Sequence, residues 1–298
     1  MTATTPATTS TADGRTLAFC EWGDPEGSPV FSLHGTPGSR LTRHPDEDVY
    51  RRAGVRAITY DRAGYGLSTR LPGRSVAHAA ADVATIADAL GIGRFAVTGG
   101  SGGAPHALAC GALLADRVTR CASVVGPTPY GAGGLERDDW LRGMVEGNVR
   151  EFELSLAGED ALRPELQRET DEMLSNLGSD PDHPMGEGYD LSPSDLEVVA
   201  RPEIRDMLDE SLQVGCGASI DGFVDDDLST VAPWGFDPSA IAVPVAVWYG
   251  VNDTLVPAAH GEWLARTLPG ATVVRLEGGH FASYDRLGEL LAWLTESS

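Results

Sequence analysis

The stretch that most constrains this chain is Arg94-Phe95-Ala96-Val97-Thr98-Gly99-Gly100-Ser101-Gly102-Gly103, followed by Ala104-Pro105-His106-Ala107-Leu108. It reads as a short apolar strand, a serine bracketed by glycines, and a helix of small residues over Ala104–Leu114. A serine on so sharp a strand-to-helix turn needs small neighbours, because chain must pass close to chain. The turn lifts the Ser101 hydroxyl clear of the sheet, while the helix behind it aims free N–H groups and a positive dipole end at the same spot. Such a serine asks the rest of the chain for a base, an acid to orient that base, and a second N–H donor for a developing oxyanion.

The surrounding pattern is α/β. Strands are expected at Thr16–Trp22, Val30–Leu33, Val55–Tyr60, Val118–Val125, Val243–Gly250 and Thr272–Leu276. Helices are expected at Pro45–Ala53, Ser75–Leu90, Pro257–Leu268 and Ser283–Thr295. Most of these strands are apolar on both faces, which predicts a mainly parallel sheet covered by helices on each side. Residues 131–232 interrupt the alternation with helical patterns at Leu135–Leu156, Gly158–Leu177 and Ser194–Val214, and loops around 178–193. The expected organisation is therefore a disordered, low-complexity tail over 1–12, a core over 13–130 and 233–298, and an inserted helical cap over 131–232.

Charge sharpens that division. The net charge is −22 and all 22 basic residues are arginine. Residues 131–232 hold 26 acidic and 7 basic residues, a net of −19. The surplus acid is read as a solvated helical surface, or as a vestibule for a cationic substrate. Nucleic acid is a poor partner for such a chain, and without lysine no Schiff-base chemistry is available. No apolar run approaches the roughly 18 residues of a membrane helix. The first dozen residues lack the basic start and apolar run of a signal peptide. Cys20, Cys110, Cys121 and Cys216 are widely spaced and fit reduced, buried thiols in a cytoplasmic protein.

Ligands of parallel α/β sheets gather at the carboxyl ends of strands. His280, in Glu277-Gly278-Gly279-His280, follows the last strand, and Asp253, in Gly250-Val251-Asn252-Asp253, follows the one before. The order Ser101, Asp253, His280 supplies nucleophile, acid and base. Among the other histidines, His106 is expected to pack rather than titrate. His44, His78, His183 and His260 read as surface or structural residues, and His34 as shaping its loop. Gly126-Pro127-Thr128-Pro129, a rival place for the acid, carries no carboxylate. The oxyanion donors are the backbone N–H of Gly102 and that of Thr36, which stands between Gly35 and a proline that has none.

With these residues in place, the chain resembles the α/β-hydrolase superfamily, in its capped, serine-nucleophile branch of esterase-like and peroxidase-like hydrolases. The motifs His34-Gly35-Thr36-Pro37-Gly38, Asp61-Arg62-Ala63-Gly64-Tyr65-Gly66-Leu67-Ser68, Gly99–Gly103, Gly250–Asp253 and Gly278-Gly279-His280-Phe281 carry that resemblance in order, over residues 14–296. It implies Ser101, His280 and Asp253 as a triad, Thr36 and Gly102 as the oxyanion hole, and a structural role for the Asp61 turn. The serine separates the chain from relatives with an aspartate at this turn, the haloalkane dehalogenases and epoxide hydrolases. Proline iminopeptidases resemble it less at two places, where Gly102 stands for a tryptophan and Thr36 for a glycine. The expected activity is cofactor-free hydrolysis of a small-molecule carboxylic ester through an acyl-enzyme. The alternatives are an aminopeptidase or amidase of the proline iminopeptidase type, a C–C bond hydrolase or an acyltransferase, with a non-catalytic ligand-binding module last. Trp140, Met144, Phe152 and Phe223 are candidates to line the pocket, though their helical spacing equally suits a core.

Overall fold

The computed structural model describes residues 6–131, 133, 135–177 and 188–296. The chain begins with β1 (Ala7–Ser10), β2 (Thr16–Gly23), β3 (Ser28–Leu33), α1 (Asp48–Arg52), β4 (Val55–Tyr60), α2 (His78–Ala89) and β5 (Phe95–Gly100). A single 3₁₀ turn, Ser101–Gly103, leads to α3 (Ala104–Leu113) and β6 (Val118–Val124). The inserted segment contributes α4 (Arg137–Leu141), α5 (Glu146–Ala157), α6 (Glu159–Ser175), α7 (Pro193–Val199), α8 (Pro202–Cys216) and α9 (Asp221–Val231). The core then resumes with β7 (Val245–Gly250), α10 (Ala258–Thr267), β8 (Thr272–Leu276) and α11 (Leu287–Thr295).

The strands form one sheet in the order β1-β2-β4-β3-β5-β6-β7-β8. Pairing is antiparallel at β1–β2 and β2–β4 and parallel from β4 to β8. Alternate residues feed two apolar layers. Phe31, Ile58, Val97 and Val247 pack with Val83, Ile86, Leu108 and Leu264 on one face. Val30, Ala57, Ala96 and Trp248 pack with Tyr50, Leu290 and Leu291 on the other. Both faces are covered, which is why the strands read as apolar runs without polar alternation.

Three expectations need correction. Part of the stretch expected as a disordered tail is a strand: Ala7–Ser10 pairs with Thr16–Phe19 of β2. Its alternation is invisible among threonines, and it is held by backbone pairing rather than by burial. Residues 1–5 of that tail lie outside the described residues. In the cap, the expected helix Leu135–Leu156 is divided into α4 and α5 around Gly143, whose φ is +90°. The expected helix Ser194–Val214 is α7 and α8, divided at Arg201-Pro202, where proline disfavours helix in the residue before it. Helix α9, absent from the sequence reading, is almost wholly buried despite three consecutive aspartates. His183 and most of the loop around 178–193 lie outside the described residues.

Candidate active site

Ser101 sits where β5 meets α3 with a φ of +53°, in the left-handed region that L side chains rarely adopt. Close chain contact explains the glycines around it: a Cβ on Gly99 would overlap the Gly103 carbonyl, and one on Gly103 would overlap the carbonyl of Leu33. Gly100 is different, since a Cβ there would meet nothing within 4 Å. A second strained residue, Val125, directly follows β6 with a φ of +46° and lines the same cavity as Ser101.

His280 and Asp253 leave the ends of β8 and β7. The imidazole Nδ1 is 2.8 Å from Asp253 Oδ2. The other oxygen of Asp253 accepts the N–H groups of Leu255 and Val256, each at 2.9 Å, so the carboxylate is fixed in a turn of its own. Burial opposes charge on His280, but the negative charge of Asp253, its hydrogen bond and the nearby charge of Asp195 prevail and raise the imidazole pKa. Three rival histidines, His34, His106 and His260, are held neutral. His106 and His260 are buried and pushed down to about 4, chiefly by burial. His260 lies 2.9 Å from the Trp140 carbonyl and accepts the Thr128 N–H. His34 bonds the Gly35 carbonyl at 2.7 Å through Nδ1 and accepts the Arg62 N–H at Nε2, as a loop-shaping residue should.

Thr36 packs directly against Gly102, the residue after Ser101. A Cβ on Gly102 would overlap the Thr36 hydroxyl and stand 3.2 Å from the Thr36 nitrogen. The Thr36–Pro37 peptide is cis. The loop is braced from the cap: Thr36 Oγ1 donates to Asp226 of α9 at 2.7 Å. Arg62 bonds the His34 and Gly35 carbonyls and also pairs with Asp226. Arg74 at 2.6 Å and Tyr65 at 2.9 Å complete the shell. Burial works against the Asp226 charge, but Arg62 and Arg74 hold its carboxyl well below the usual range. Neither Asp226 nor the bracing role of Arg62 was visible in sequence; the only hint was an aspartate run inside an otherwise amphipathic segment.

Ser101, Gly102, Thr36 and His280 line one cavity of 340 Å³, and Asp253 stands behind the histidine. The structure thus brings all five sequence-selected residues together. Cap residues Phe152, Leu208, Leu212 and Phe223 form apolar walls. Trp140 and Met144 instead pack with Leu135 and Leu141 in a separate cluster. Two acids also face the cavity. Glu151 accepts the Tyr189 hydroxyl at 2.9 Å, and its pKa is raised to about 7 by burial and by Glu169. Asp227 is buried, its Oδ2 has no hydrogen-bond partner, and burial together with Glu151 raises its pKa well above the ordinary value. Among the described residues, no group of three histidines, cysteines or acids is placed to hold a metal ion, and no helix is long and apolar enough to cross a membrane. The four cysteines are buried and unbridged.

A parallel sheet presenting a strained serine, a carboxylate-bound histidine and a cap at its carboxyl edge defines the α/β-hydrolase class. The chain belongs to the alpha/beta hydrolase fold family, whose pattern matches residues 28–287. It is 38% identical over 104 residues to a proline iminopeptidase of Xylella fastidiosa, covering 33% of this chain and 32% of that one. It is 31% identical over 84 residues to a bifunctional esterase/perhydrolase of Acinetobacter calcoaceticus, covering 28% and 30%. The chain thus spans about a third of the length of these curated relatives. A thermophilic esterase from Thermogutta terrifontis superposes with a TM-score of 0.67 at 20% identity, over 97% of this chain and 96% of the other, a likeness of fold.

Proposed function

We propose that this α/β hydrolase cleaves a small-molecule carboxylic ester through an acyl-enzyme. The observation that carries the reading is the 2.8 Å His280–Asp253 contact beside a serine held at positive φ in the same cavity. With Nδ1 donating to Asp253, Nε2 of His280 is left to take the Ser101 proton. Ser101 Oγ attacks the ester carbonyl, and the oxyanion is held by the N–H groups of Thr36 and Gly102. The alcohol leaves with the proton from His280. Water, deprotonated by the same nitrogen, then releases the carboxylic acid and restores Ser101. A cavity of 340 Å³ suits a small substrate.

A second reading is favoured by Glu151 and Asp227. Two buried carboxyls that line the same cavity as Ser101, one oxygen unpartnered, suit a protonated amine, and one relative is named a proline iminopeptidase. The discriminating experiment is turnover of p-nitrophenyl esters of graded acyl length beside aminoacyl anilides, with Ser101→Ala as blank. Ester turnover lost in the variant supports the first reading. Anilide turnover that requires a free amine and falls in Asp227→Asn supports the second. No serine-dependent turnover of either sinks both.

A further inference from the structure

The ring of His280 is held by a core carboxylate, but its backbone is held by a carboxylate from the cap. Asp195, at the start of α7, is 0% exposed. Its Oδ2 accepts the His280 N–H at 2.9 Å, and its Oδ1 accepts the Phe281 N–H at 2.7 Å. Ser192, which caps α7, donates its hydroxyl to Oδ2 at 2.8 Å. Next along the loop, the Gly279 N–H donates to Ser194 Oγ at 3.1 Å. The fit leaves no slack, since a Cβ on Gly279 would overlap Asp195 Oδ2 and come within 2.5 Å of Ser192 Oγ. Three consecutive N–H groups of the histidine loop therefore end on two side chains of one short cap helix, 85 residues away at His280.

We propose that Asp195 is a positioning residue: its carboxylate holds the His280 loop at the height from which the imidazole reaches Ser101, making cap docking a condition of catalysis. The inference rests on the assignment of Ser101 as nucleophile and His280 as its base. An uncharged amide cannot replace this carboxylate. Asparagine keeps one acceptor, but its NH₂ would point a donor at another donor, leaving one buried N–H unpaired. The charge matters as well. Asp253 and Asp195 are the charged groups that act on His280, both in the direction of protonation and against the effect of burial. Removing Asp195 alone therefore lowers the pKa of the imidazole, while removing its geometry slows the reaction.

The test needs no knowledge of the substrate. A fluorophosphonate phosphonylates an activated serine with loss of fluoride, and its rate follows the neutral fraction of the base. The rate of labelling is measured against pH for the wild type, Ser101→Ala, Asp195→Asn and Glu197→Gln, the last removing an exposed charge from the same helix. Asp195→Asn should slow the plateau rate about 10–100-fold, the cost of a small misplacement of a reacting group. Its acidic limb should move to lower pH, and Glu197→Gln should change neither. If the Asp195→Asn chain does not fold by circular dichroism, Ser194→Ala carries the test through a plateau loss of about threefold, the effect of one hydrogen bond. A merely structural role would lower the labelled fraction but leave the rate constant and limb of the remaining molecules unchanged; that outcome overturns the inference while Ser101 stays assigned. A wild type that does not label, or a Ser101→Ala that labels equally, removes the assignment and the inference with it.

Discussion

At Ser101 a hydroxyl and a strained backbone meet in one turn of chain that the Thr36 loop approaches closely, so single atoms decide the outcome. Ser101→Ala and His280→Ala should each lower turnover by about four orders of magnitude or more while the chain stays folded, as read by steady-state kinetics beside circular dichroism. On the proposed mechanism His280 works as a neutral base, and its pKa is raised. Activity should therefore fall as pH drops through a midpoint above 6.5, the ordinary imidazole value; a midpoint below it in the kcat/KM profile would contradict the Asp253 contact. Gly102→Ala places a methyl into the Thr36 hydroxyl. That substitution should spread the two N–H donors and cost about 10²-fold in kcat, the loss expected for an oxyanion donor. A loss confined to KM would count against this pair of donors.

Helix α9 carries polar and charged side chains into the interior, against the usual sense of helix burial. Asp226 alone meets Arg62, Arg74, Tyr65, Thr36 and His106. A buried ion network of this kind adds little over a packed apolar core, but breaking it leaves uncompensated charge. Asp226→Ala strands two buried arginines and should cost about 3–5 kcal/mol in urea-induced unfolding. The surviving folded protein should also lose activity, because Thr36 loses its anchor. Destabilisation of less than about 1 kcal/mol would show that solvent or neighbouring acids take over the pairing. Helix α7 makes the complementary contact, so the cap touches both the Thr36 loop and the His280 loop. On the proposed mechanism, such a cap is part of the catalytic scaffold as well as a cover.

Across the molecule, buried acids make stability depend on pH. Glu151 has its pKa raised from 4.5 to about 7, so the folded state favours its protonated form. The corresponding stability is complete below about pH 4.5 and is lost as pH rises through about 7. Glu151→Gln should therefore lower the melting temperature less at pH 8 than at pH 5, or raise it there. Equal effects at both values would show that Glu151 titrates normally. The same measurement bears on the amine reading: a cation bound at the pair should raise the melting temperature of the wild type at pH 8 more than that of the variant.

The nucleophile turn, the parallel sheet and the places of His280 and Asp253 were legible in residue order, because each depends on local chemistry. Glycines mark where chain passes chain, apolar runs mark strands buried on both faces, and strand ends mark where ligands collect. Local pattern also located the cap, through its charge and its loss of alternation. It did not reveal β1, whose threonines carry no burial pattern, or the breaks within the cap helices. Nor did it distinguish Asp195, Asp226 and Asp227 from the many other acids of that segment. Their roles depend on which backbone N–H or guanidinium lies opposite, a contact between residues far apart in the chain. Burial turns one aspartate into a brace for the histidine loop, another into the hub of an arginine network and a third into a cavity-lining acid with one oxygen unpartnered. The sequence by itself determined which residues gather at the carboxyl edge of the sheet, and only the tertiary structure decided how the inserted helices hold them, because an acid's effect is set by what surrounds it in space.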